Sequence, residues 1–362
     1  MSKEKTIKWI IYITGIVCLY IFLASRFPKL MNLILREKID LELLEFTKYG
    51  DLYYYNCIDH FKEDMPVQIR RYRLSEKNAP INNAEILTYG DSFFDISFQK
   101  TLPERISDST GKSVFCYMTQ DPLQSNPFCL FNEKGFIKRK EPTVIIVESA
   151  ERNIPIKFDT PYSITCNSVT KTKSTYEKLI YDYLFKSNDE QLFDLMLKRS
   201  YFTSKLYSII STLKFDAFKD ISSHTPIYKA NPTPWLFYSK SVDSIPGGFY
   251  YQYNDHEIQN YANNIALLAK SLKSNYNLEL IFMAVPNKYT IYSKMVNNDS
   301  YNDFIPKLQD ELRKHNIQFI DLYNEFVSSK VILYYGTDTH WNRKGVDLAL
   351  KLTLDKIVKL NN

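Results

Sequence analysis

From residue 85 onward the chain alternates short apolar runs with longer amphipathic ones. The runs 85–88, 113–117, 143–147, 278–285 and 318–322 are strand-length and rich in Ile, Val, Leu and Phe, which predicts strands buried on both faces. Between and after them, apolar residues recur at the helical period. Ile258, Tyr261, Ala262, Ile265, Leu268 and Leu272 form one such stripe, and Ile305, Leu308 and Leu312 a second. Val346, Leu350, Leu354 and Ile357 form a third, with Asn342 placed to cap it. Strands that alternate with helices predict an α/β fold, a three-layer parallel sheet with flanking helices. The stretch at about 155–255, between the third and fourth runs, is too long for an ordinary connection and predicts a helical insertion. Helical patches fall at Leu179/Tyr183 and Leu206/Ile210, whereas 231–253, with its Pro, Trp and Tyr residues, predicts loop or short strands.

Ahead of the alternating region the pattern is different. Residues 7–24 are apolar with a single charge, Lys8, about the length of a bilayer-spanning helix. Lys3, Lys5 and Lys8 precede or enter the segment and Arg26 and Lys29 follow it, so the flanking charges do not fix an orientation. A cleaved signal peptide is the rival reading, since Ala24 and Ser25 are small; the lack of an A-x-A site favours an uncleaved transmembrane anchor over 1–30. Residues 31–80 then read as a juxtamembrane stalk, and 81–362 as one domain carrying the insertion.

Composition narrows the function. A net charge of +5 without a dense Lys/Arg stripe predicts no nucleic-acid partner. Beyond Cys18, in the apolar segment, Cys57, Cys116, Cys129 and Cys166 allow three disulfide pairings, and no spacing among them suits a metal site. Nothing in the sequence calls for a cofactor.

Candidate chemistry gathers where the strands end, the rim on which open parallel sheets bind ligands. The first strand runs into Gly90-Asp91-Ser92, the third into Glu148-Ser149-Ala150-Glu151-Arg152-Asn153, and the fourth into Pro286-Asn287-Lys288-Tyr289. A late loop carries Asp338-Thr339-His340-Trp341-Asn342. Gly90 permits a tight turn, and Ser92, at the expected start of a helix, would have backbone N–H groups nearby for an oxyanion. A serine hydroxyl needs a base, and the base needs an acid to orient it. His340 as base and Asp338 as its orienting acid complete a Ser–His–Asp set. The other four histidines, His60, His224, His256 and His315, read as surface or packing residues. Trp341 could stack on a sugar ring; Trp235, Tyr250, Tyr251 and Tyr253 read as packing before stacking, and Lys288 could reach the rim.

A Gly-Asp-Ser after the first strand with a late Asp–His pair resembles the SGNH (GDSL-like) hydrolase superfamily. The run Asp338-Thr339-His340-Trp341-Asn342 is similar to the D-x-H-W-N of its alginate and exopolysaccharide O-acetyltransferase branch, and Pro286-Asn287-Lys288 and Glu148 to Arg152 resemble further segments of that branch. The order, Ser before Asp–His, is instead that of ordinary SGNH enzymes, and their G-x-N-D block is missing. Arg152, Asn153 and the N–H of Ser92 are the remaining oxyanion candidates. The resemblance implies an extracytoplasmic, membrane-anchored O-acyltransferase with an acyl-serine intermediate. Its acceptor would be a polysaccharide and its acyl donor a multi-pass membrane O-acyltransferase in the bacterial cytoplasmic membrane. An esterase of the same fold, or a non-catalytic assembly subunit, are the alternatives.

Overall fold

The computed structural model describes residues 3–26, 50–62, 79–94, 100–119, 126–163, 204–230 and 234–361. These fall into two compact units. The smaller is drawn from 1–46, 56–60 and 168–221, and the larger from 47–55, 61–167 and 222–362.

The larger unit is built on five parallel strands, β1 (Ile86–Gly90), β2 (Val114–Met118), β3 (Thr143–Ala150), β6 (Leu278–Val285) and β7 (Gln318–Ile320), in the order β2-β1-β3-β6-β7. The spine is β3 against β6, paired along its whole length from Thr143 opposite Leu278 to Ala150 opposite Val285. Because successive strand residues face opposite ways, Leu87, Tyr89, Ile145, Val147, Leu280 and Phe282 enter one core while Ile86, Ile146, Ile281 and Met283 enter the other.

Helices close both faces. On the first side lie α4 (Pro127–Glu133), α5 (Ile154–Phe158), α7 (Asp255–Tyr276) and α9 (Phe304–Lys314); on the second lie α3 (Leu102–Thr110), α10 (Leu322–Ser328) and α11 (Arg343–Asn361). All five predicted strands and all three predicted helical stripes form, giving a three-layer α/β sandwich consistent with an SGNH-like fold. Asn342 caps α11 as expected, its Oδ1 accepting from the N–H groups of Lys344 and Gly345. Part of the insertion returns to the large unit as an antiparallel pair, β4 (Ile227–Lys229) with β5 (Trp235–Phe237). Leu236 N–H then donates to Gly336 O at 2.8 Å, tying that pair to the late loop. Cys129 is disulfide-bonded, whereas Cys57 and Cys116 are buried thiols.

In the smaller unit, α6 (Ser204–Phe218) realises the patch at Leu206/Ile210; Leu179/Tyr183 lies outside the described residues. There Ser208 and Thr212 bond the side chain and backbone of Asp59, and His60 meets Asp216 at 2.8 Å. The N-terminal segment forms α1 (Lys3–Arg26), on which Ile7, Trp9, Ile10, Ile11, Ile13, Ile16 and Leu19 are exposed. Among the described residues, no helix is long and apolar enough to cross a membrane.

Candidate active site

The strand order reverses between β1 and β3, since the chain proceeds from β1 to β2 on one side and reaches β3 on the other. Ligands bind in the crevice at such a switch point, beyond the carboxyl ends of the strands. Ser92 lies there, one residue past the Asp91 that follows β1. It sits in a turn, with Phe94 N–H donating to Asp91 O at 3.1 Å and Phe93 N–H to Asp91 Oδ1 at 3.3 Å. The sequence placed Ser92 at a helix start; residues 95–99, over which that helix would run, lie outside the described residues. Gly90 is required by close packing, because a Cβ there would lie 2.4 Å from Glu148 Oε2 and 2.8 Å from Glu148 Cβ.

The late loop brings the base to this serine. Ser92 Oγ is 2.8 Å from His340 Nε2, and His340 Nδ1 is 2.6 Å from Asp338 Oδ1. Asp338 Oδ1 also accepts the His340 N–H at 2.9 Å. Asp338 is fully buried, which opposes ionisation, but the adjacent imidazole and the hydrogen bonds it accepts hold its pKa below the ordinary value. Lys288, opening α8 (Lys288–Val296), pins the loop from beneath. Its ammonium donates to the carbonyls of Tyr335, Gly336 and Asp338 at 3.1, 2.9 and 2.8 Å, with the rings of Phe237 and Trp235 alongside.

A second carboxylate joins from a part of the sequence read as stalk. Helix α2 (Asp51–Asn56) presents its first N–H, that of Asp51, to Asp338 Oδ2 at 2.9 Å. The Asp51 carboxylate in turn accepts from Thr339 N–H at 2.8 Å and from Thr339 Oγ1 at 2.5 Å, and Oδ2 lies 3.9 Å from His340 Nδ1. Burial first, and the charge of Asp338 second, push the Asp51 pKa up to about 6. No spacing or composition around Gly50-Asp51 signals this role, which exists only once residues 50–55 dock on the late loop. Residues 50–55 therefore belong to the site and are not stalk.

Behind Ser92 lies a buried charged floor. Asp91 Oδ2 accepts from Asn153 Nδ2 at 3.0 Å and Ala150 N–H at 3.3 Å, and stands 3.6 Å from Lys157 Nζ. Burial works against the charge of Asp91, but Lys157 and Arg152 outweigh it and hold its pKa low. Burial and the charge of Asp91 push the Glu148 pKa well upward, and its Oε2 accepts the Asp91 N–H at 2.6 Å. Glu151 accepts from Asn287 N–H, Thr290 Oγ1 and Tyr301 Oη, each at 2.7 Å, and burial raises its pKa to about 7.

The secondary candidates divide. Arg152 is half-buried with its guanidinium 5.9 Å from the Phe93 ring centre, and that ring lies 4.9 Å from the imidazole of His340, so Arg152 stands at the site. Asn153 serves Asp91 with its amide. Trp341 and Lys288 are corrected. Trp341 is fully buried against Phe93 and cannot stack on a sugar, and Lys288 holds backbone and does not reach the rim. Trp235 is buried as well, and Tyr253 stacks on Phe304. Asp51, Asp338 and His340 offer ligand atoms within 4.8 Å of one another, a spacing a metal ion could bridge. Their atoms are nonetheless engaged: Nδ1 with Asp338, and both carboxylates with N–H or hydroxyl donors.

This geometry joins segments that begin at residues 50, 90, 150, 287 and 337. Residues 231–360 match the family model of the SGNH hydrolase-like domain of acetyltransferase AlgX. That finding agrees with the resemblance carried by Asp338–His340 and Pro286–Lys288, and this segment is similar to an SGNH hydrolase-like domain. The match includes Asp338, His340 and Lys288, while Ser92 and Asp51 lie before it. Neither the curated proteins nor the solved structures contain a match to the chain.

Proposed function

We propose that the protein is a serine O-acyltransferase, with Ser92 as nucleophile, His340 as general base and Asp338 as the acid that orients it. The hydrogen bond of 2.8 Å between Ser92 Oγ and His340 Nε2, made by a ring whose Nδ1 is held by Asp338, carries the reading. Nε2 takes the proton from Oγ as Oγ bonds to the acyl carbonyl carbon. The imidazolium returns that proton to the departing group as the tetrahedral intermediate collapses, leaving an ester on Ser92. A sugar hydroxyl, deprotonated by Nε2, then attacks the ester, and the imidazolium returns the proton to Ser92 Oγ as the acyl group leaves on the sugar. Arg152, beside Phe93, is the candidate donor toward the oxyanion.

The acceptor is a cell-surface or secreted polysaccharide, and the acyl donor is supplied by a multi-pass membrane acyltransferase. The AlgX-type match of residues 231–360 supports that substrate class. Membrane attachment and an extracytoplasmic catalytic unit complete the proposal, supported by the apolar composition of 7–24 and the exposed apolar side chains of α1.

A chromogenic acetyl ester tests the chemistry. The full chain should turn it over and acquire an acyl group on the peptide containing Ser92, and Ser92→Ala should do neither. Adding an oligosaccharide should divert acyl groups from water to sugar. Undiminished turnover by Ser92→Ala would remove the serine mechanism, and release to water alone would leave an esterase.

A further inference from the structure

We infer that Asp51 is a positioning residue for His340, holding Thr339 so that the imidazole keeps its productive tautomer and laying a second carboxylate beside the ring. The inference rests on the serine mechanism above and deepens it.

Asp51 is not an ordinary helix cap. The first N–H groups of α2 are already satisfied from outside the helix, that of Asp51 by Asp338 Oδ2 and those of Leu52 and Tyr53 by Thr337 O at 3.1 and 3.2 Å. Both oxygens of the Asp51 side chain turn instead to Thr339. The approach is close by construction. Gly50 has φ +93°, and a Cβ there would lie 2.3 Å from Thr337 O. Helix and loop clamp each other, Asp338 accepting from the backbone of Asp51 and Asp51 accepting from the backbone of Thr339.

The clamp matters because of the Thr339 hydroxyl, whose Oγ1 is 3.3 Å from His340 Nδ1. For Nε2 to take the serine proton, Nδ1 must carry hydrogen and donate it to Asp338. A Thr339 hydroxyl donating to Nδ1 would favour the opposite tautomer, with hydrogen on Nε2 and no base facing Ser92. With its proton given to Asp51 at 2.5 Å, the hydroxyl can only accept. Asp51 thereby suppresses the unproductive ring state. When Nε2 gains the serine proton, the Asp51 carboxylate, 3.9 Å from Nδ1, also favours the charged ring.

Several charges face Asp51. Asp338 and His340 do so from the late loop and Tyr55 from its own helix, while Arg152 after β3 and Lys288 on α8 stand behind Tyr55 and Asp338. Asp51 ionises near pH 6, so its charge is present at neutrality and fades below that.

The test compares Asp51→Asn, Thr339→Val and Ser92→Ala in the full chain with the chromogenic acetyl ester. Asp51→Asn should lower kcat about 10- to 100-fold, the scale of a small misplacement of a catalytic group, with KM within about twofold. The acidic limb of its pH–rate profile should move to lower pH, because one of two carboxylates favouring the charged ring is gone. A merely structural residue would leave that limb in place. Thr339→Val keeps both carboxylates and removes the competing donor, so it should hold kcat within about twofold with the limb in place, and added to Asp51→Asn it should restore part of the lost kcat. Wild-type kcat and an unmoved limb in Asp51→Asn overturn the inference. Should Asp51→Asn fail to fold, a kcat loss of about tenfold or more in folded Thr339→Val overturns it instead, because the hydroxyl would then serve the ring. Either result alongside an inactive Ser92→Ala leaves the serine mechanism standing; an active Ser92→Ala removes that mechanism and the inference with it.

Discussion

Lys288 illustrates how little of a side chain's role is written in its chemical type. A buried ammonium must be hydrogen-bonded, and here three main-chain carbonyls of one loop take that part. Lys288→Met, similar in length but without donors, should destabilise the protein by about 2–3 kcal/mol, as expected when buried acceptors lose a charged partner. Thermal unfolding should show the loss, and ester turnover should fall because Asp338 O is one of the three anchors. A Met variant as stable and active as the parent would remove Lys288 from the site's support. From sequence, Trp341 looked like a residue for a ligand because it adjoins His340, and Lys288 because it follows a strand end on the rim. Proximity along the chain says nothing of burial, and both point inward. Ser92, Asp338 and His340 were legible for another reason: strand ends converge on one rim, and few residue types can act as nucleophile, base and orienting acid. Asp51 was invisible because its contact with Thr339 spans 288 positions and leaves no periodicity to read.

Among the elements, the end of β3 and the start of α8 are joined through Glu151, which also reaches Tyr301 ahead of α9. Strands and helices were legible here because the β3 and β6 runs are mostly apolar and the α7 and α9 stripes keep the helical period. The polar joint between them was not, since a Glu after a strand reads as solvent-facing. Burial raises the folded-state pKa of Glu151 to about 7 from an ordinary 4.5. The folded state thus binds more protons than the unfolded one between those values. Its contribution is fully present below about pH 4.5 and is lost as pH rises through about 7. Wild-type stability should fall between about pH 4.5 and 7 on this account. Glu151→Gln, neutral at every pH and still able to accept from Asn287 N–H, should flatten that fall in chemical denaturation series. Parallel slopes for the two proteins would show that Glu151 does not titrate there.

On the scale of the whole chain, the site draws on segments far apart in sequence, and only the last two of them lie within the family match. The Ser92–His340–Asp338 set and its supports come from residues 50–55, the ends of β1 and β3, α8 and the late loop, all within the larger unit. Helix α1 belongs to the smaller unit and supplies no residue to the Ser92–His340–Asp338 set. Its exposed Ile, Trp and Leu side chains are costly in water, at about 25 cal/mol for each Å² of apolar surface, and a membrane would cover them. Deleting residues 1–26 should therefore separate two properties. The shortened chain should leave the membrane fraction for the soluble one while turning over a water-soluble acetyl ester within about twofold of the full chain. Transfer to a polysaccharide in intact cells should drop much further if, as proposed, the acyl donor is a membrane protein. Fractionation and the two activities, measured on the same pair of proteins, check this. A shortened chain that stays with membranes would move the attachment elsewhere, and one that loses ester turnover while remaining folded would make α1 part of the catalytic apparatus.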